Sequence, residues 1–321
     1  MTYLAVSSAV LLELALFALE SQYPPPAFES ISVTSFGSTY RLSENRKLGY
    51  IPVPGSGRFN SYGHLGPAYS LQKKVGRKRI VFVGDSVTEG IGTPENQRFT
   101  ALLEASLGKE YEVVNLAVRG YNFIQSAEYL KEVGLRFSPD IVFFGVTFND
   151  LFSDSGELKD LAKKVLQSKQ STFYWAYYGT KGGAESFLLH SRLYRHLKFI
   201  LHKLTSKKSG DAEATKRAFS NFAHKLKAVD IELAVQELKK LSKEKGFALT
   251  YLFLPFRAPE FDKELIKKTV LDSGEKVIDL HERAQKELPK DKFTALFRMA
   301  DPCHFEYYGH HWVAQQLRKE L

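Results

Sequence analysis

Residues 79–90, RIVFVGDSVTEG, run a β-branched and aromatic strand directly into a Gly-Asp-Ser turn. A hydroxyl at the carboxyl end of a parallel strand, just ahead of a helix, lies at the sheet edge where open α/β folds bind ligands. Ser86 is therefore the candidate nucleophile, with its own backbone N–H facing the same spot. Gly-Asp-Ser also makes an ordinary turn with the serine as helix N-cap, so these residues alone leave both readings open.

Three later segments favour the chemical reading, because a serine nucleophile needs a base, a group that orients the base, and donors for the oxyanion. Near the carboxyl terminus, DPCHFEYYGHHWVAQQL places Asp301 three residues before His304, in a loop ahead of an apolar-periodic helix. One short turn can then carry both base and orienter. In the middle of the chain, DIVFFGVTFND ends an apolar strand at Asn149, whose amide can donate to developing negative charge. Between the serine and this strand, YEVVNLAVRGYN ends another strand in a loop at Gly120, where the missing side chain lets a backbone N–H approach substrate.

Taken together, GDSVTEG at 84–90, Gly120 in NLAVRGYN, Asn149 in GVTFND and Asp301 with His304 in DPCH resemble the blocks of the SGNH (GDSL-type) hydrolase family. The layout is similar to that of membrane-anchored bacterial esterases of this type, and the likeness covers roughly residues 40–150 and 247–321. It implies Ser86 as nucleophile, His304 as general base and acid, and Asp301 as its orienter. Ser86 N–H, Gly120 N–H and the Asn149 amide would form the oxyanion hole. The imidazole takes the Ser86 proton as the hydroxyl attacks an ester carbonyl, then returns it to the departing alcohol, while the aspartate stabilises the imidazolium. Water completes a hydrolase cycle, and a sugar hydroxyl in its place makes the same site an O-acyltransferase. A glycan-binding module retaining the fold is the non-enzymatic alternative.

Other polar residues near these blocks have plainer roles. Asp85 is expected to support the turn, and Asp150 to cap a helix beginning in LFSDSGEL. His310 and His311 are expected on the surface or in the packing of the last helix. Arg257, after the fourth strand, is a candidate for an anionic substrate group or a solvated loop charge. Cys303 is the sole cysteine and no second His/Asp pair has ligand spacing, so neither a metal nor another cofactor is expected.

Apolar segments near 79, 112 and 141, then FALTYLFLPF and EKVIDL, give five strands separated by helical patterns. This predicts an α/β three-layer sandwich around a parallel sheet, and the resemblance implies a flavodoxin-like strand order. From 151 to 246 the apolar residues recur at three- and four-residue spacing, a helical insertion between the third and fourth strands. Its aromatic run at 172–179 fits either a substrate-binding wall or a packed helical layer.

The amino terminus, YLAVSSAVLLELALFAL at 3–19, is almost uninterruptedly apolar but slightly shorter than the ~20 residues of a usual membrane span. Glu13 interrupts it and no Lys or Arg precedes it. The expected organisation is an anchor or uncleaved signal at 1–22, a linker and core-wrapping segment at 23–78, and a catalytic domain at 79–321. A packed amphipathic helix of a cytoplasmic enzyme is the alternative to an enzyme anchored at the cell envelope. The net charge of +9 suits anionic surfaces, headgroups and acidic polysaccharides included, and no nucleic-acid-binding pattern is present. The expected function is hydrolysis of O-acyl, above all acetyl, esters of a carbohydrate or lipid.

Overall fold

The computed structural model describes residues 39–45, 47–147, 150–151, 226–257, 263–298 and 303–321, with 11, 12 and 15 of the amino-terminal run. The chain divides into two compact units, one of 34–169 with 222–321 and the other of 1–33 with 170–221. Of the second unit only residues 11, 12 and 15 are described, all helical. Among the described residues no helix is long and apolar enough to cross a membrane, and the apolar run 3–19 lies almost wholly outside them. The larger part of the expected insertion, its aromatic run included, also lies outside the described residues.

In the first unit two short strands, β1 (Tyr40–Leu42) and β2 (Tyr50–Pro52), pair antiparallel. They precede β3 (Lys78–Val83), α1 (Ser86–Glu89), α2 (Phe99–Leu107), β4 (Tyr111–Asn115), α3 (Phe123–Glu132) and β5 (Ile141–Val146). Then come α4 (Ala228–Lys245), β6 (Ala248–Phe253), α5 (Lys263–Asp272), β7 (Lys276–Asp279), α6 (Leu280–Glu287), α7 (Lys290–Ala295) and α8 (Tyr307–Arg318). The last five strands form one parallel sheet in the order β4-β3-β5-β6-β7, the flavodoxin-like arrangement expected.

Strand periodicity builds the layers. Alternate residues of a strand face opposite sides of a sheet, so a strand covered on both sides is apolar throughout. Val81 and Val83 of β3, Val142 and Phe144 of β5, and Tyr251 and Phe253 of β6 enter one core with Leu130 of α3 and Ile231, Val235 and Leu238 of α4. Ile80 and Phe82, Phe143 and Leu252 enter the other, with Phe99 and Leu103 of α2, Leu280 of α6 and Val313 and Leu317 of α8. Each such fully buried side chain contributes roughly 1.5–3 kcal/mol of transfer free energy. Tyr40, Leu48, Tyr50, Phe59 and Leu65, all ahead of β3, are buried in the first core. The segment 40–78 is thus built into the domain by its aromatics rather than strung out before it.

The strand order reverses at β3, because β4 lies on one side of it and β5 on the other. At such a switch point the loops leaving neighbouring strands diverge and open a crevice at their carboxyl ends. The loops leaving β3 and β5 carry Ser86 and Thr147.

Candidate active site

Ser86 is the first residue of α1, and the turn before it is held by Asp85. One Asp85 carboxyl oxygen accepts from Val87 N–H at 3.0 Å, and the other accepts from the Thr147 hydroxyl at 2.7 Å. Asp85 therefore braces the Gly-Asp-Ser turn against the end of β5, as a supporting residue would. Burial pushes its carboxyl above the usual carboxylate range, while the Thr147 bond and the nearby His304 act in the opposite sense.

Asp150 makes contacts that the sequence did not signal. Its carboxylate turns back to accept from Thr147 N–H, and its own N–H donates to Thr147 O at 3.3 Å. It closes the turn leaving β5, where a buried backbone N–H three residues upstream needs an acceptor, and the segment 152–225 that it was expected to cap lies outside the described residues. Burial, and then the charge of Asp85, hold the Asp150 carboxyl well above its ordinary pKa. Asn149 lies outside the described residues, as does Asp301.

His304 meets Ser86 across the sheet edge, with its Nε2 2.8 Å from Ser86 Oγ. Both side chains are half-buried, so the pair is reachable from solvent. The loop that delivers the histidine is pinched shut by an antiparallel bridge between Phe297 and Phe305. Arg298 N–H donates to His304 O at 3.0 Å, and Glu306 N–H to Leu296 O at 2.9 Å. Cys303 is buried in the same loop, its Sγ 3.7 Å from His304 Nδ1.

Arg298 ties this loop to the turn that follows α1. Its guanidinium donates to Phe305 O at 3.2 Å, to Thr93 Oγ1 at 3.1 Å and to Ile91 O. Gly92 makes room for it: a Cβ there would stand 2.1 Å from Arg298 Nη1. Sequence reasoning missed Arg298, since nothing in FRMADPCHF signals a partner more than 200 positions upstream. Arg257 belongs to the same scaffold, donating to Arg298 O at 2.8 Å with its guanidinium 5.3 Å from the Phe297 ring centre.

Gly120 occupies the loop after β4 at φ 78°, in the left-handed region that favours glycine. Val118 N–H donates to Gly84 O at 3.0 Å, which seats this loop beside the Gly-Asp-Ser turn. Among the described residues neither Ser86 N–H nor Gly120 N–H has an acceptor. His310, by contrast, is a buried structural residue: its Nδ1 accepts from Phe99 N–H at 3.2 Å and its Nε2 lies 3.0 Å from Thr93 Oγ1. Burial, with Arg298 and Arg98 nearby, lowers its pKa to about 3. His311 is exposed on α8.

The model of the GDSL-like lipase/acylhydrolase family matches residues 82–259, more than half of the chain, and spans Ser86, Gly120 and Asn149. No curated protein matches the sequence. Among solved structures, the lipase/acylhydrolase from Enterococcus faecalis is 17% identical, with 76% of this chain and 94% of that one covered at a TM-score of 0.44. An acetyl xylan esterase, AlAXEase, is 15% identical over 76% of this chain and 99% of that one, TM-score 0.43. A catalytic mutant of an acetylxylan esterase from Geobacillus stearothermophilus is 14% identical over 77% and 96%, TM-score 0.43. Through a family match that runs from the end of β3 past β6, this chain belongs to the GDSL-like lipase/acylhydrolase family of ester-hydrolysing enzymes.

Proposed function

We propose that the protein hydrolyses O-acyl esters, acetyl esters above all, of a carbohydrate or lipid, with Ser86 as nucleophile and His304 as its base. The observation that carries this reading is the 2.8 Å contact between His304 Nε2 and Ser86 Oγ. With Nε2 unprotonated, the imidazole accepts the hydroxyl proton as Oγ bonds to the acyl carbon. Collapse of the tetrahedral intermediate breaks the carbonyl–alkoxy bond, and the imidazolium returns the proton to the departing alcohol. Water, deprotonated by the same imidazole, then releases the acid and regenerates Ser86. Asp301, three residues before His304, is assigned to orient the imidazole and balance its transient charge, on the strength of the sequence pattern.

The oxyanion of both intermediates is assigned to Ser86 N–H, Gly120 N–H and the Asn149 amide. Among the described residues these two backbone donors have no acceptor, so both are free to bond a substrate oxygen, which supports the assignment. The apolar run at 3–19 is the ground for proposing further that the enzyme works at the cell envelope.

A fluorophosphonate probe with a chromogenic acetyl ester tests the reading. Wild-type protein is expected to label at Ser86 and to turn over the ester, and Ser86→Ala to lose both while keeping its thermal midpoint. Labelling that persists in Ser86→Ala would move the nucleophile elsewhere. Acetyl transferred to an added acceptor sugar in preference to water would make the enzyme a transferase with the same nucleophile.

A further inference from the structure

We propose that Tyr50, in the segment ahead of the family match, is a positioning residue that aims the Gly120 N–H at the oxyanion. The inference rests on the assignment of Gly120 N–H given above. The Tyr50 hydroxyl donates to Arg119 O at 2.5 Å, and both groups are buried. Arg119 C=O and Gly120 N–H belong to one peptide group. No cis peptide is present among the described residues, so this group is trans and planar and its N–H points opposite to its carbonyl. Holding the oxygen therefore holds the direction of the hydrogen. A donor on the carbonyl also polarises the peptide and makes its N–H a stronger donor in a low-dielectric site.

The peptide on the other side of Arg119 is clamped as well. Arg119 N–H donates to Glu89 Oε2 at 2.9 Å, and the Arg119 guanidinium donates to Glu89 Oε1 at 2.6 Å. Glu89 is the last residue of the helix that begins with Ser86, and it is buried. Arg58, also ahead of β3, pairs with the same carboxylate. With both peptides flanking the Arg119 Cα held, Gly120 N–H has little freedom to turn. Tyr50 is itself fixed: the Tyr121 hydroxyl donates to Tyr50 O, and the Tyr50 ring packs edge-on against Tyr121 at 5.3 Å and Tyr40 at 5.7 Å. The positioning group thus comes from the amino-terminal segment.

The experiment compares wild type, Tyr50→Phe and Tyr69→Phe on the chromogenic acetyl ester, with the Gly120 amide followed by ¹⁵N–¹H NMR. Tyr69→Phe is the control, because it removes a hydroxyl bonded to Glu104 at 2.7 Å with no link to Gly120. Tyr50→Phe is expected to lower kcat by about three- to tenfold at unchanged KM, the worth of one net hydrogen bond, and to shift the Gly120 amide. Tyr69→Phe leaves both alone. An unchanged kcat in Tyr50→Phe overturns the proposal, as does a rise in KM with kcat preserved.

Should Tyr50→Phe fail to fold, Tyr50→3-fluorotyrosine keeps the ring and makes the hydroxyl a stronger donor. It raises kcat if the proposal holds and leaves kcat unchanged if it fails. Ser86→Ala, measured alongside, separates the two readings. Hydrolysis that survives Ser86→Ala removes the nucleophile assignment and this inference with it. Hydrolysis lost in Ser86→Ala yet undiminished in Tyr50→Phe removes this inference alone.

Discussion

Adding one methyl group at Gly92 is expected to disable the enzyme from a position that touches neither Ser86 nor His304. A Cβ there would lie 2.1, 2.5 and 2.6 Å from Nη1, Nη2 and Cζ of Arg298, far inside van der Waals contact. A flexible side chain usually yields at little cost, but the tip of this one is held by Phe305 O, Thr93 Oγ1 and Ile91 O. Hydrogen bonds to charged groups contribute about 1.5–3 kcal/mol each. Gly92 also has φ 67°, where a non-glycine residue costs roughly 1–2 kcal/mol. Allowing for partial rehydration of the displaced guanidinium, Gly92→Ala should lose about 3–5 kcal/mol, a large share of the 5–15 kcal/mol typical of a domain.

Catalysis should suffer beyond stability, because the His304 loop loses its tie to the turn after α1. A misplacement of about 1 Å in a reacting pair costs on the order of 100-fold. Urea unfolding with steady-state kinetics on the acetyl ester measures both effects. The clash should vanish in an Arg298→Met background, where Gly92→Ala should cost only the backbone part, about 1–2 kcal/mol. A single Gly92→Ala variant within about 1 kcal/mol of wild type and within twofold in kcat would refute the argument, since a tethered tip could not have moved so cheaply.

His304→Ala should lower kcat by about 10⁴-fold or more, and the Ser86→Ala/His304→Ala double variant should be little worse than either single. His310→Ala should instead keep fluorophosphonate labelling and lose about 1–3 kcal/mol in urea unfolding, because it orphans Phe99 N–H. His310, at about 3, and His281, at about 4, both titrate in the fold below the ordinary histidine value. Their neutral forms stabilise the protein fully above pH ~6.5, and that stability is lost as pH falls from there toward 4, by at most about 1.4 kcal/mol per histidine per pH unit. Asp85 and Asp150, raised by burial, act in the opposite sense, so the clean test is the gap in urea midpoint between wild type and His310→Gln. It should narrow between pH 6.5 and 4, and a gap independent of pH would refute the assignment. Asn149→Asp should reduce kcat by about 10²–10³ with little change in KM if its amide donates to the oxyanion. A near-wild-type kcat would make Asn149 only a turn residue.

The elements of the fold were legible because their signals are local. A strand buried on both faces is apolar at every position, so IVFV, IVFFGV and ALTYLF announced themselves, and the helical spacing between them called for a parallel sheet. Ser86, Gly120 and His304 stood out as candidates because a strand end, a glycine-bearing loop and an Asp-x-x-His spacing are short patterns. The bond from Thr147 N–H back to Asp150 was not legible, because a turn-closing and a helix-capping aspartate look alike in one dimension.

What tertiary structure alone decided is the set of contacts between residues far apart in the chain. Ser86 and His304 are 218 positions apart, Arg298 and Ile91 are 207, and Tyr50 and Arg119 are 69. No periodicity or motif couples such residues, because their pairing depends on strand order. With β3 between β4 and β5, Ser86 follows the strand at which the sheet order reverses, and buried aromatics hold residues of the segment 40–78 in the core. Sequence by itself determined which groups could do the chemistry. The fold determined what holds them in range, because hydrogen bonds and packing act at a few ångströms whatever the distance along the chain.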